Sequence, residues 1–155
     1  MGPFKIKLTN FHQASSVLLF FSKMKTPENI SFDSFEKALA SLKEAVLSEP
    51  KSELEKDGVI QRFEYTFEMA WKSIRSCLFV LGRKEVSNSP KPILRDALEE
   101  SLISDINKWF EFLKARNYSS HTYSELTAST VYTLAKEFPS YAEDLLNKLN
   151  ATIKK

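Results

Sequence analysis

Within eight residues the chain reads Arg116-Asn117-Tyr118-Ser119-Ser120-His121-Thr122-Tyr123, which brings together a permanent cation, a carboxamide, an imidazole, two phenols and two serine hydroxyls. His121 is one of only two histidines, and imidazole can both take and give a proton near neutrality. The planar fork of Arg116 matches phosphate oxygens, and Ser119 and Ser120 can cap a helix or bind phosphate. Acid–base chemistry at a phosphate is therefore the reaction class this segment points to. The competing reading is structural: Arg116 neutralises a helix C-terminus, His121 satisfies a turn, and Tyr118 and Tyr123 pack on the fold. On residue types alone the structural reading weighs more, because one arginine and one histidine at this spacing are common.

A second polar line, Gln61, Glu64, Glu68, Lys72 and Arg75, repeats at helical spacing. Glu64 and Glu68 are like charges one turn apart, which costs an isolated helix a few tenths of a kcal/mol, and Lys72 one turn further on offsets part of that. A solvated face is the simpler account. The sharper one is that these carboxylates meet cations of the Arg116 segment or of a partner chain. Phe63, Phe67, Trp71, Trp109 and Phe110 fit a helical core better than a stacking platform for bases. Cys77 is the only cysteine and no paired histidine or cysteine spacing occurs, so neither a disulfide, a dedicated metal site nor a cofactor is expected.

At 155 residues the chain suits a single domain with a real core. A hydrophobic fraction of 43% with only 3 glycines and 6 prolines favours helix over the turn-rich all-β classes. The net charge of +2, from 22 basic and 20 acidic residues, provides no general attraction to nucleic acid, so phosphate binding has to be local. The apolar run Val17–Phe21 is too short for an export signal or a membrane span, and a cytoplasmic location is expected with no membrane partner. Residues 1–30 lack a sustained helical period. They are expected to be an N-terminal extension or loosely attached arm, with Met24 as the natural start, ahead of a helical bundle domain over residues 31–155.

Prolines leave two long windows, between Pro50 and Pro90 and between Pro92 and Pro139, in which helices run without losing a backbone donor. The first helix is predicted from Asp33 or Ser34, with Asp33 and Glu36 as a capping box and Phe35, Leu39, Leu42 and Val46 inward. A second begins with the capping box Ser52 and Glu55 and carries Val59, Phe63, Phe67, Trp71, Ile74 and Leu78 to a glycine cap at Gly82. Gly58 marks a bend in it or a later start. Ser89 is expected to cap a short helix with Pro90 in its first turn and Ile93, Leu94, Ala97 and Leu98 inward. Ser104 or Asp105 caps a fourth, in which Ile106, Trp109, Phe110 and Leu113 form the stripe and Arg116 falls near the end. The last starts around Ser124 with Leu126, Val131, Leu134 and Phe138 inward, then resumes or bends at Pro139 through Tyr141, Leu145, Leu149 and Ile153. The predicted fold is all-α: an antiparallel up-and-down four-helix bundle with one extra short helix.

The line Asp57-Gly58-Val59-Ile60-Gln61-Arg62-Phe63-Glu64-Tyr65-Thr66-Phe67-Glu68-Met69-Ala70-Trp71-Lys72, with Ser89-Pro90, Arg95-Asp96-Ala97, Trp109 and Arg116 to Tyr123, resembles the nucleotidyltransferase substrate-binding protein family of the HEPN superfamily. The resemblance covers about Phe32 to Ile153 and leaves residues 1–30 unmatched. It implies a helical bundle, usually a homodimer, whose partner is a separately encoded minimal nucleotidyltransferase. Superfamily members with an arginine, a polar residue and a histidine at this spacing act as metal-independent ribonuclease toxins, with the nucleotidyltransferase as antitoxin. Arg116, Asn117 and His121 match that pattern, and Tyr123 matches the tyrosine that the partner can adenylylate. The resemblance thus implies Arg116, Asn117 and His121 as catalytic residues, with nucleotide or RNA as ligand. Glu64, Glu68, Lys72, Ser119 and Ser120 are expected to contact substrate or partner. Since one chain offers one suitable histidine, a dimer would supply base and acid from its two copies of His121, with both Arg116 side chains on phosphate. The same motif equally serves a non-catalytic subunit that holds substrate for the nucleotidyltransferase.

Overall fold

The proline-free window between Pro50 and Pro90 is filled by one long helix, against which all the others pack. The computed structural model describes residues 30–118 and 126–155. Their helices are α1 (Asp33–Leu47), α2 (Glu53–Val80), α3 (Pro90–Glu99), α4 (Ile106–Arg116) and α5 (Ala128–Ile153). No strand occurs among the described residues, and none of their helices is long and apolar enough to cross a membrane.

The ends of α2 follow the sequence closely. Ser52 Oγ accepts the Glu55 N–H at 3.1 Å and Glu55 Oε2 accepts the Ser52 N–H at 2.9 Å, which closes the expected capping box. At the other end Gly82 takes a positive φ of 86°. Its N–H donates to Phe79 O and that of Arg83 to Leu78 O, the paired bonds of a glycine-terminated helix. Gly58 does not delay α2, because the cap upstream sets the start at Glu53, and the helix continues through it.

Two other expected caps do not form. At α1, Phe32 is the N-cap residue and Asp33 already lies inside the helix, so Asp33 and Glu36 make no box. Phe32 is buried in the core, and burying a phenylalanine is worth about 1.5–3 kcal/mol against about 1 for a side-chain cap. At α3, Ser89 occupies the N-cap position but its hydroxyl lies 3.2 Å from that of Ser87 instead. The third helical position is Pro92, which has no N–H for a cap to receive. Asp105 does cap α4, accepting the Lys108 N–H at 3.0 Å. The last helix begins at Ala128 with Thr127 as its cap, while the expected start at Ser124 lies outside the described residues. α5 runs through Pro139 as one helix and does not restart there.

α1 lies antiparallel to α2: Ala38 O accepts from Thr66 Oγ1, and Ser41 is met by Arg62 and Tyr65. α5 runs alongside α2 in the same direction, with Lys56 beside Tyr132 near their starts and Phe63 and Phe67 beside Phe138 further along. An up-and-down order through four long helices requires both relations. The centre is a ring cluster around Phe138, whose centroid lies 5.0 Å from Phe112, 5.2 Å from Phe63, 5.5 Å from Trp109 and 5.8 Å from Phe67. Most of these contacts are edge-to-face, the geometry the ring quadrupole favours.

The inward face of α4 is rotated from the expected stripe, so that Trp109, Phe112, Leu113 and Ala115 are buried. Phe110 is only half-buried, at the rim, with Lys91 Nζ 5.4 Å and Arg95 Cζ 5.8 Å from its ring. Ile106 and Val46 are likewise half-buried, and Leu98, also expected inward, is 38% exposed. The short α3 is tied to the end of α2 by Arg83, which pairs with Asp96 at 3.2 Å, Glu99 at 2.7 Å and Glu100 at 3.1 Å.

A Cβ on Gly58 would meet nothing within 4 Å, and its helical backbone suits alanine. Gly58→Ala is expected to raise the free energy of unfolding in urea by about 0.5–1 kcal/mol. Phe138→Ala, which empties the centre of the ring cluster, is expected to lower it by about 3–5 kcal/mol.

Candidate functional site

Arg116 is in the last turn of α4, where a cation meets the negative end of the helix dipole. Its Nη2 donates to Glu68 Oε2 at 2.7 Å, across to α2, and its Nη1 donates to Asn117 Oδ1 at 3.1 Å. Glu68 also accepts the Trp71 indole N–H at 2.9 Å, and Lys72 Nζ lies 3.2 Å from its other oxygen. The spacing within α2 explains this convergence: Trp71 and Lys72 lie three and four residues after Glu68, on its own face.

Glu68 is therefore the hub. Burial works to raise its pKa, but the Trp71 hydrogen bond, the Lys72 ammonium and the Arg116 guanidinium together hold it below the usual glutamate value. The carboxylate stays ionised and holds the guanidinium at the end of α4. Arg116 carries five N–H donors, more than its two bonds among the described residues use.

Of the expected site residues, Arg116, Asn117, Glu68 and Lys72 meet in this one cluster. Glu64 is half-buried one turn earlier on α2. Ser119, Ser120, His121 and Tyr123 lie outside the described residues. Arg75, last of the polar line, does not join Glu68. Its Nε donates to Ser87 O at 3.0 Å and its guanidinium lies 5.0 Å from the Phe79 ring. Trp71, expected only as core, is buried to 6% exposure and belongs to the site as well. The available signal was an indole N–H needing a partner, with a carboxylate three residues earlier.

The helical fold that carries this cluster, where α2 meets the end of α4, is shared with solved helical proteins. The chain belongs to the nucleotidyltransferase substrate binding protein-like family, whose model matches residues 30–151. It is 33% identical over 99 residues to a probable ribonuclease HepT of Haemophilus influenzae, a match covering 59% of this chain and 65% of that protein. The match thus falls short of that relative's full length. A crystal structure of a Thermus thermophilus protein is 35% identical with a TM-score of 0.65, covering 74% of this chain and 98% of that one. A Haemophilus influenzae structure described as the fold of a substrate binding domain of a nucleotidyltransferase is 27% identical with a TM-score of 0.65, covering 77% and 99%.

The lowered pKa of Glu68 has a definite sign in stability. A carboxyl whose folded pKa lies below its unfolded value contributes stability above the unfolded value and loses it as pH falls through the folded one. Urea unfolding of wild type and Glu68→Gln is expected to differ most at neutral pH. The difference should shrink as pH falls below the ordinary glutamate value of about 4.3. A gap that stays constant down to pH 3 would mean that Glu68 is not held ionised by its partners.

Proposed function

We propose that this protein is the helical subunit of a two-component system with a separately encoded minimal nucleotidyltransferase. It binds the phosphate of a nucleotide or RNA at Arg116 and cleaves RNA without metal through Arg116 and His121 at a homodimer cleft. The observation that carries the reading is the guanidinium of Arg116, held by Glu68 and Asn117 immediately before the segment containing His121. Family membership and the similarity to a probable ribonuclease support it.

In this reading the substrate's own 2′-oxygen attacks the adjacent phosphorus as a base removes the hydroxyl proton. A 2′,3′-cyclic phosphate forms, and the bond to the 5′-oxygen breaks as an acid protonates that oxygen. Two His121 side chains, one per protomer, fill the two proton roles. The Arg116 side chains stabilise the charge that develops on the phosphoryl oxygens, and Asn117 orients Arg116. Adenylate on Tyr123 would place negative charge and bulk beside the cleft and repel RNA.

A second reading has one observation in its favour. Arg116 already has an anionic partner in Glu68, which suits a site that holds nucleotide for a partner enzyme rather than one that performs chemistry. The experiment that separates the two is RNA cleavage by purified protein in the presence of a chelator. Under the ribonuclease reading, wild type cleaves, His121→Ala and Arg116→Ala lose at least about 100-fold, and both variants remain folded. If wild type binds nucleotide or the nucleotidyltransferase but cleaves no RNA, the protein is the substrate-binding subunit.

A further inference from the structure

The charged side chains of α3 divide between two sets of partners. All three of its C-terminal acids, Asp96, Glu99 and the adjoining Glu100, are committed to Arg83. Lys91 and Arg95, one turn apart, lie instead over the half-exposed ring of Phe110 on α4. Both are exposed, and neither has an ion pair among the described residues. The placement works against the helix in two ways. Lys91 is in the first turn, which contains no acid and where the dipole disfavours a cation, and Arg95 repels it at i, i+4. Their contact with the Phe110 ring offsets these costs within the fold, and a bound polyanion would offset them further.

These cations connect to the Arg116 cluster along both flanking helices. On α4, Phe110 lies less than two turns before Arg116. On α2, Lys72 pairs with Glu68, Arg75 follows at i+3, and Arg75 donates to Ser87 O just ahead of the start of α3. Arg75, like Lys91 and Arg95, has no acidic partner among the described residues.

We propose that Lys91, Arg95 and Phe110, continued by Arg75 and Lys72, form a binding track for the sugar–phosphate backbone of single-stranded RNA leading to Arg116. The inference deepens the proposed function and rests on its assignment of phosphate binding to Arg116. Separate cations along a surface suit the successive phosphates of a flexible strand, and an aromatic ring among them gives a base a surface to stack on. A track of several cations offers a polymer more phosphate contacts than a monomer can make, so it selects polymer over monomer.

The test is fluorescence anisotropy with a labelled oligouridylate over a range of salt, alongside AMP binding, on the full chain. Lys91→Ala/Arg95→Ala is expected to bind the oligonucleotide about tenfold more weakly and to lower the slope of log K against log salt by about 1.4, two contacts at about 0.7 each. AMP binding should stay at the wild-type level, and Lys91→Arg/Arg95→Lys should restore RNA binding. Thermal stability of the alanine variant should stay close to that of wild type, since the removed like-charge pair and the lost contacts with Phe110 act in opposite directions. Unchanged RNA affinity and slope would overturn the track, as would a wild type that binds AMP but no RNA, which leaves the Arg116 reading standing. Loss of nucleotidyltransferase binding with RNA binding intact would also overturn it and make the face a protein-docking surface. If the double variant loses RNA binding while Arg116→Ala loses neither ligand, the track stands and the assignment of phosphate to Arg116 fails.

Discussion

Burial of five aromatic rings where α2, α4 and α5 meet sets where α4 can lie, and with it everything at the candidate site. Phe138 touches rings from both other helices, and Trp109 and Phe112 anchor α4 by edge-to-face contacts. Lys108 adds a 2.6 Å ion pair to Glu137 on α5. With α4 seated this way, its last turn ends beside α2 at the level of Glu68. An arginine there finds a carboxylate already oriented by an indole N–H. Core packing thus does the positioning, and the polar contacts at the site hold charge in place.

The all-helical architecture was legible because apolar residues recur every three or four positions and proline and glycine occur at the ends. The box at Ser52 and Glu55 and the glycine turn at Gly82 formed where the sequence placed them. The two side-chain caps that did not form have local causes: Phe32 prefers the core, and Pro92 removes the third-position donor that Ser89 would meet. The stripe of α4 was off by a small rotation because Phe110 and Phe112 are equally apolar, and only the position of neighbouring helices decides which turns inward. At the site, the convergence of Glu68, Lys72 and Arg116 was visible as a possibility, since a line of like charges on one helix asks for cations. That Trp71 completes it was not, because periodicity marks a tryptophan as buried without saying what its N–H will meet.

The distribution of acids is as informative as that of bases. Arg83 gathers three carboxylates at the far end of α2, which leaves Lys91 and Arg95 on the same helix α3 without an acidic partner among the described residues. A net charge near zero describes the average of the surface and none of its parts. Glu68, placed between Lys72 and Arg116, keeps Arg116 in one orientation instead of leaving a long side chain to sample many.

Cys77 sits on the buried face of α2, fully enclosed, and burial together with the charge of Glu100 pushes its thiol pKa up to about 11. The thiolate is the reactive form, so at neutral pH this sulfur is both shielded and protonated. Because it is the only thiol in the chain, any reagent that modifies it reports a moment when α2 has come away from its neighbours. The molecule thus carries an intrinsic clock for local opening of its central helix, readable without adding a label.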